Sequence, residues 1–560
     1  MLKSIVDDQY TAARAYFLCV IGMLIFEALL RVPEYWLVIR HKDKAFVKPS
    51  STHSIIRSSI HKLFTLPSPI PFVTTHTFPI VLRCAVFTGL NVLWGITRIR
   101  FTTDFKLFGW LCISNGGLAL LFAARSNLLS SLLRVPTTTI AYYHRWCGRA
   151  TVIHATIHTV LNIQQYLKTD QLATVFGALR IQVGIMAWIA LALMFLTSLN
   201  FVRRRVFEVF YYTHFLFIVF VVGACIHAHN GPEFLLPGVG LWAVDRAIRF
   251  YYNFRSLEVR SVRYLEGDVT KFTIEGVEVR RPGQMVWMQI PMVSRLNWHP
   301  FTVAAAPEDG KAVVAIRGLG GYTKKIQRLA EGDGMGITLV GSGDDEGMSS
   351  SSPIKVRIDG PYGVSGVKWG LHSVTVLVAG GIGITPGISI ASHIIQRAAQ
   401  AGSPAQQHNG EGYGDATNGS QWHIHLLWAL KDRAHISWFA TELRALLRTA
   451  NNHPNLTFSI TIHTTGRSVP APMTPVSSVG SENSGMLPGA KDSYSDLGMI
   501  QQGRPDIMAW FQDVKARRPG LDAVVNACGP RPLITEARRS CASVSGRDGL
   551  FHFEQEVFEL

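Results

Sequence analysis

The chain carries seven apolar stretches, at about 13–38, 78–98, 106–124, 140–164, 178–199, 206–229 and 234–252, each near the ~20 residues that let a helix cross the hydrocarbon core of a bilayer. Backbone polar groups in hydrocarbon have no water to bond, so stretches of this kind are confined to helices packed as a bundle. Of the 560 residues, 48% are hydrophobic and only 16% charged, which excludes a wholly soluble basic protein. The first stretch has no basic n-region and no cleavage site, and reads as a retained helix rather than a signal peptide.

Lysine and arginine are retained on the cytoplasmic side of a membrane. Arg40, Lys42, Lys44, Lys48, Arg57 and Lys62 follow the first span, Arg125 and Arg134 the third, and Arg203, Arg204 and Arg205 lie between the fifth and sixth, all on one side of a seven-span arrangement. Arg98, Arg100 and Lys106 oppose this bias. The balance puts the amino terminus outside and everything after Arg255 in the cytoplasm. The cations behind the net charge of +16 flank apolar spans and do not coat a soluble face, so nucleic acid is not expected as a partner. The seven cysteines contain no CxxC pair and indicate neither a zinc site nor a disulfide framework.

After residue 255 the composition turns globular, with strand-like runs at 269–276, 312–317 and 374–379 and a helix-like stretch at 436–449. The expected domains are 1–77, the first span with its cytoplasmic loop; 78–255, the membrane domain; and two soluble domains at 256–365 and 366–560. Polar segments at 341–353, 401–420 and 466–503, rich in Ser, Gly, Pro or Asn, read as exposed insertions.

An ionisable side chain inside a span is costly and needs a partner. The fourth span holds His144, His154 and His158, and the sixth His214, His227 and His229. At ~1.5 Å rise per residue, His144 and His158 stand about 21 Å apart along the axis, and His214 and His227 about 20 Å. Both spans run outward from the cytoplasmic side, so His144 is level with His214 and His158 with His227. Each level offers a bis-histidine site, and the two levels together suit two stacked metal macrocycles. Fourteen residues return His158 to within about 40° of the face of His144, but thirteen leave His227 well off the face of His214. The sixth span must therefore bend or carry an irregular turn. His154, one turn before His158, is a rival ligand, and the plainer reading of any single histidine is a hydrogen-bonded core residue.

His144-Arg145-Trp146, Gly148-Arg149 and the His154…His158 ending resemble the ferric reductase transmembrane region shared with the NADPH oxidases. Phe207-Glu208-Val209-Phe210…Thr213-His214 resembles the other ligand helix of that superfamily, and Trp242…Asp245-Arg246 the last span of fungal metalloreductases. The resemblance implies that His144, His158, His214 and His227 ligate two b-type haems, which suit electron transfer because bis-histidine iron has no open position.

Pro282-Gly283-Gln284 and His299-Pro300-Phe301-Thr302 resemble the FAD-binding motif of the ferredoxin-reductase-type domain in this family. This implies Phe301 flanking the flavin, Thr302 near its reactive nitrogen and His299 at the ribityl or phosphate portion. Arg317-Gly318…Gly321-Tyr322-Thr323 resembles the segment that meets the FAD pyrophosphate, with arginine for charge and glycine for close approach. Further on, the strand-like Val374–Ala379 leads into Gly380-Gly381-Ile382-Gly383-Ile384-Thr385-Pro386 and a helical segment, an arrangement that aims backbone N–H groups at a pyrophosphate. Flanked by Asp359-Gly360-Pro361-Tyr362-Gly363 and Asn526-Ala527-Cys528-Gly529-Pro530, it resembles the nicotinamide domain of the same superfamily, which implies Cys528 and Gly529 beside the nicotinamide. A buried structural thiol is the other reading of Cys528. Phe558 resembles the terminal aromatic that covers the flavin in this family, and Lys431 and Arg504, with Arg433 as a lesser candidate, match the places that favour NADPH over NADH.

The expected fold is a multi-span α-helical membrane domain with two haems, followed by a ferredoxin-reductase-like FAD-binding β-barrel and an α/β NADPH-binding domain. The resemblance implies an NADPH-dependent metalloreductase of the plasma membrane that reduces ferric or cupric chelates outside the cell and serves iron or copper uptake machinery, with Cys528, Thr302 and Phe558 at the reacting atoms. A superoxide-generating NADPH oxidase is the alternative, because the oxidases share the HATIHT segment at 154–159.

Overall fold

The computed structural model describes residues 8–30, 78–96, 105–123, 128–133, 137–253, 256–305 except 278, 280 and 296, 312–331, 354–363, 372–401, 421–466 and 494–556, with isolated positions 59, 61, 62, 65, 66, 135 and 369. The expected insertion at 341–353 and most of those at 401–420 and 466–503 lie outside the described residues. The chain divides into two compact units, one of residues 1–36 and 79–251 and one of 37–78 and 252–558.

In the first unit, helices α1 (Gln9–Leu30), α2 (Phe78–Ile96), α3 (Phe105–Leu121), α4 (Thr137–Lys168), α5 (Leu179–Ser198), α6 (Phe207–His227) and α7 (Gly231–Asn253) occupy all seven apolar stretches. Among the described residues α1, α2, α5 and α6 are long and apolar enough to cross a membrane, and α3 is a shorter apolar helix. The histidines of α4 and the Asp245, Arg246 and Arg249 of α7 dilute the apolarity of those two helices. In α7 these groups find partners: Asp245 is fully buried against Arg249 one turn on, and Arg246 lies 5.4 Å from the ring centroid of Trp242. The regular helix of α6 is interrupted by a 3₁₀ turn at His214–Leu216. Three residues at about 120° each instead of 100° rotate the rest of α6 by about a further 60°, which moves His227 toward the face of His214.

The second unit opens with a closed antiparallel barrel of β1 (Ser256–Leu265), β2 (Val269–Ile274), β3 (Met285–Gln289), β4 (His299–Ala305), β5 (Ala312–Arg317) and β6 (Lys355–Tyr362), in the order β1-β2-β5-β4-β3-β6. Its core includes Phe272, Ile274, Val286, Met288, Val314 and Ile316, which alternate inward along their strands. Helix α8 (Gly321–Ala330) follows β5. Beyond the barrel, β7 (Val374–Gly380), β8 (Trp422–Leu430), β9 (Leu456–Thr464), β10 (Met499–Gln502), β11 (Ala523–Cys528) and β12 (Phe551–Glu556) form a parallel sheet ordered β10-β9-β8-β7-β11-β12. Helices α9 (Ile384–Ala401), α10 (Ala440–Asn451), α11 (Ile507–Arg517) and α12 (Arg531–Val544) connect the strands, and β7, β8 and β11 read as buried runs because both sheet faces are covered. The chain leaves β7 toward β8 on one side while β11 lies on the other, so the strand order reverses there and a crevice opens at the carboxyl ends, where α/β sheets take their ligands. The helix-like 436–449 resolves into a 3₁₀ turn, Arg433–Trp438, and α10.

Within β8, burial and the nearby Arg518 push the His423 imidazole down to about 4; His425 is also pushed to about 4, by burial and then by His423 and the arginines. The folded chain therefore stays unprotonated at these positions while the unfolded chain takes up protons, so the stability they contribute is present above the ordinary value and is lost as pH falls toward 4. For His425, moving from 6.5 to about 4 corresponds to roughly 3 kcal/mol. Pulse proteolysis of the full chain in urea should give a lower midpoint at pH 5 than at pH 7, and His425→Gln should flatten that slope. An unchanged slope in the variant would remove His425 as its source.

Candidate functional site

The four histidines come together as two facing pairs joining α4 to α6. The rings of His144 and His214 have centroids 6.2 Å apart, and those of His158 and His227 6.1 Å. With imidazole–metal bonds of about 2 Å, two rings sharing one metal ion stand about 6 Å apart between centroids. The Nδ1 atom of His144 lies 2.8 Å from the Ala119 carbonyl oxygen, that of His158 2.6 Å from Phe105 and that of His227 2.9 Å from Arg180. A carbonyl only accepts, so Nδ1–H donates and Nε2 keeps the lone pair that a metal requires. The Nδ1 of His214 is buried with no partner among the described residues. Two glycines make room for the rings: a Cβ at Gly109 would lie 2.9 Å from His158 Cε1, and one at Gly184 2.5 Å from His227 Nδ1. Asn162, one turn beyond His158, donates its amide to the His158 carbonyl at 2.7 Å and stands 3.2 Å from the ring Nδ1. Sequence reasoning passed over Gly109, Gly184 and Asn162; only the i,i+4 spacing of Asn162 carried a signal.

Among the described residues no imidazole faces His154. Its Nε2 is 3.0 Å from Asn91 Oδ1 and its ring stacks on Phe108, so it is a hydrogen-bonded core histidine and not a competing member of either pair.

In the barrel, β4 pairs with β5 only from Val303, opposite Val314, onward, whereas His299–Thr302 pair with β3 alone. A seam therefore separates His299–Thr302 from the end of β5, and it tolerates Pro300, which has no amide to give a second ladder. The His299 ring stacks on Tyr322 at 4.1 Å, and the Tyr322 hydroxyl accepts from the Ile290 amide at 3.2 Å; burial raises that phenol above its ordinary value, keeping it neutral. Phe301 is half-buried and Thr302 buried. Helix α8 begins at Gly321, where a Cβ would meet nothing within 4 Å, so the approach to its first-turn amides is open. Thr323 shapes the turn: its hydroxyl accepts from the amides of Leu319 at 3.0 Å and Gly320 at 2.9 Å. Arg317 closes β5 with its guanidinium 5.9 Å from the Trp438 ring centroid. A seam lined by aromatic rings, with an arginine and an open helix start beside it, fits a flavin with its pyrophosphate. The Gly283 amide donates to Ser389 Oγ at 3.1 Å, which ties the Pro282-Gly283-Gln284 turn to α9.

At the crevice the two glycine-bearing turns touch through their backbones. A Cβ at Gly380 would lie 2.6 Å from Pro530 Cδ, and one at Gly383 2.6 Å from the Cys528 carbonyl oxygen and 3.1 Å from its Sγ. Gly529 adopts φ +155° there. Cys528 is buried; Thr385, also buried, donates its hydroxyl to the Ile382 carbonyl at 3.0 Å. The Trp428 indole donates to the Gly381 carbonyl at 2.9 Å, fixing the turn from β8. Pro386 sits in the first turn of α9, where its missing amide costs no helical bond. Lys431 and Arg504 are exposed just past β8 and β10, and the strand between is tied to both ends, Gly466 N to Lys431 O at 2.7 Å and Gly503 N to Thr464 O at 2.8 Å. Both cations thus stand at the carboxyl edge of the sheet. Phe558 lies outside the described residues.

Residues 108–225 match the family described as ferric reductase like transmembrane component, residues 254–366 the FAD-binding domain family, and residues 372–542 the ferric reductase NAD binding domain. Ferric reduction oxidase 7, chloroplastic, of Arabidopsis thaliana is 29% identical over 417 residues, covering 68% of this chain and 54% of its own. NADPH oxidase 1 of Mus musculus is 24% identical over 548 residues, covering 80% of this chain and 86% of its own. The ferredoxin reductase in carbazole 1,9a-dioxygenase is matched at 14% identity over 54% of this chain and 68% of that one, with a TM-score of 0.30. The chain spans about half the length of the ferric reduction oxidases it matches. With the three family matches falling in order on the helical unit, the barrel and the parallel sheet, the chain belongs to the ferric reductase and NADPH oxidase superfamily.

Proposed function

We propose that the chain is a transmembrane metalloreductase that moves electrons from cytosolic NADPH, by way of FAD and two b-type haems, to an extracytoplasmic ferric or cupric chelate. The observation that carries this reading is the pair of facing imidazoles repeated at two levels of α4 and α6, in a chain that also folds a dinucleotide crevice. When bound, FAD takes electrons as a pair and releases them singly, and bis-histidine haems pass them on without an open coordination position.

In this reading His144 and His214 hold the inner haem and His158 and His227 the outer one, each through Nε2, while backbone carbonyls opposite Nδ1 fix tautomer and ring azimuth for His144, His158 and His227. His299, Pro300, Phe301 and Thr302 seat the flavin, and Arg317 with Gly321 meets its pyrophosphate on a turn braced by Thr323. Gly380, Gly381 and Gly383 admit the NADPH pyrophosphate, Thr385 and Pro386 start the helix beneath it, Cys528 and Gly529 flank the nicotinamide, and Lys431 and Arg504 meet the 2′-phosphate. Phe558 is assigned to cover the flavin. The loop cations favour a cytoplasmic position for the barrel and the parallel sheet, and the resemblance favours the plasma membrane and a role beside iron or copper uptake machinery.

The second reading, a superoxide-generating oxidase, draws on the likeness to NADPH oxidase 1, which covers 86% of that protein. Membranes containing the chain, given NADPH and an impermeant Fe(III) chelate or oxygen alone, separate the two. Fe(II) formation insensitive to superoxide dismutase is the expected result. Superoxide output that accounts for all chelate reduction would make oxygen the acceptor.

A further inference from the structure

The matched transmembrane region begins at residue 108, yet two polar chains tie α1, which lies ahead of it, to α4. In the first, the Tyr143 hydroxyl donates to Glu27 Oε1 at 2.9 Å, and Arg83 Nε of α2 donates to the same oxygen at 2.6 Å. In the second, the Tyr16 hydroxyl donates to Asn115 Oδ1 at 2.8 Å, Asn115 Nδ2 donates to Asn91 Oδ1 at 3.1 Å, and His154 Nε2 donates to that same oxygen at 3.0 Å. The Asn91 amide donates to the Phe87 carbonyl at 2.9 Å, which leaves Oδ1 as the acceptor for both. Tyr16 and Tyr143 are fully buried, in a bundle where polar side chains are retained only for a purpose.

The spacing of the two chains is matched. Tyr16 and Glu27 are eleven residues apart, and so are Tyr143 and His154, about three turns and about 16 Å in either helix. Both contact residues therefore lie on one face of α1 and one face of α4, and the two helices run antiparallel, clasped at two levels. Those levels are not arbitrary: Tyr143 precedes His144 directly, and His154 stands one turn before His158.

We propose that α1 is a positioning element for the two histidine pairs, with Glu27, Arg83 and Tyr143 setting the azimuth of α4 at His144, and Tyr16, Asn115, Asn91 and His154 setting it independently at His158. The inference rests on the haem ligation argued above. It gives His154 a task that requires no metal, and it makes a helix outside the matched region part of the electron-transfer unit.

Low-temperature electron paramagnetic resonance and Soret-monitored redox titration of the purified full chain test it. Tyr143→Phe removes one hydroxyl and leaves the Glu27–Arg83 pair intact; it should shift the low-spin g values and the midpoint of the His144/His214 haem alone. Tyr16→Phe should shift those of the His158/His227 haem alone. Glu27→Gln should act as Tyr143→Phe does but more strongly, and Leu18→Ala, at an exposed position of α1, should move neither. Wild-type signals in both tyrosine variants, or a joint shift of both haems in each, would overturn independent positioning. A wild-type chain without two low-spin signals would overturn the haem ligation itself, a result distinct from either.

Discussion

Leucine at His158 or at His227 is expected to take the bound haem from two per chain to one and to lower reduction of an impermeant chelate at least about 100-fold, the upper end of what even outer-shell ligand partners contribute. The rings stand 6.1 Å apart with both Nδ1 atoms already given to backbone carbonyls, so each is left with one Nε2 to offer a metal. His154, the nearest other imidazole on α4, is held by Asn91 and turned toward α2 and α3. Flavin reduction by NADPH should survive, because the barrel and crevice contain neither residue. Gly184→Val should mimic His227→Leu, since a Cβ there already collides with the ring. Two haems retained in His158→Leu would sink the ligand assignment.

The depth of those histidines was legible because it depends only on helical rise, which is insensitive to neighbours. Their azimuth was not: thirteen residues demanded an irregularity in the sixth span, but the 3₁₀ turn at His214–Leu216 is placed by packing. The same limit hides Gly109 and Gly184, whose importance lies in what a facing helix brings against them, and it left His154 ambiguous until Asn91 was seen beside it. In the second unit the strands at 312–317 and 374–379 announced themselves as short apolar runs between turn residues. The seam in the barrel did not, because it arises from where β4 stops pairing with β5, and Tyr322 reaches His299 from 23 residues away. Local pattern thus located the parts, while partners distant in sequence decided which atoms meet.

The contact between Gly383 and Cys528 is of that second kind, and it yields the other large effect. Residues 523–528 of β11 are laddered to β7 on one side and to β12 on the other, Cys528 opposite Ala379 and Glu556, so the Cys528 carbonyl has little freedom to retreat. Even a methyl group at Gly383 would lie 2.6 Å from that oxygen and 2.9 Å from its carbon, and overpacking of this sort displaces backbone at a cost of about 1–3 kcal/mol. Gly383→Val should force β7 and β11 apart at the mouth of the crevice and reduce kcat/KM for NADPH about 100-fold, equivalent to about 2.7 kcal/mol of transition-state binding. Thr385→Val keeps the side-chain shape and removes only the hydroxyl bond to the Ile382 carbonyl and should cost nearer tenfold, about 1.4 kcal/mol, in keeping with one hydrogen bond. In both variants dithionite should reduce both haems as in the unaltered chain, because the altered turn lies outside the helical unit. Steady-state kinetics with NADPH, read beside the dithionite spectrum, decide the matter: normal NADPH turnover by Gly383→Val would remove the crevice between β7 and β11 as the nucleotide site, whereas loss of haem would place the damage in folding.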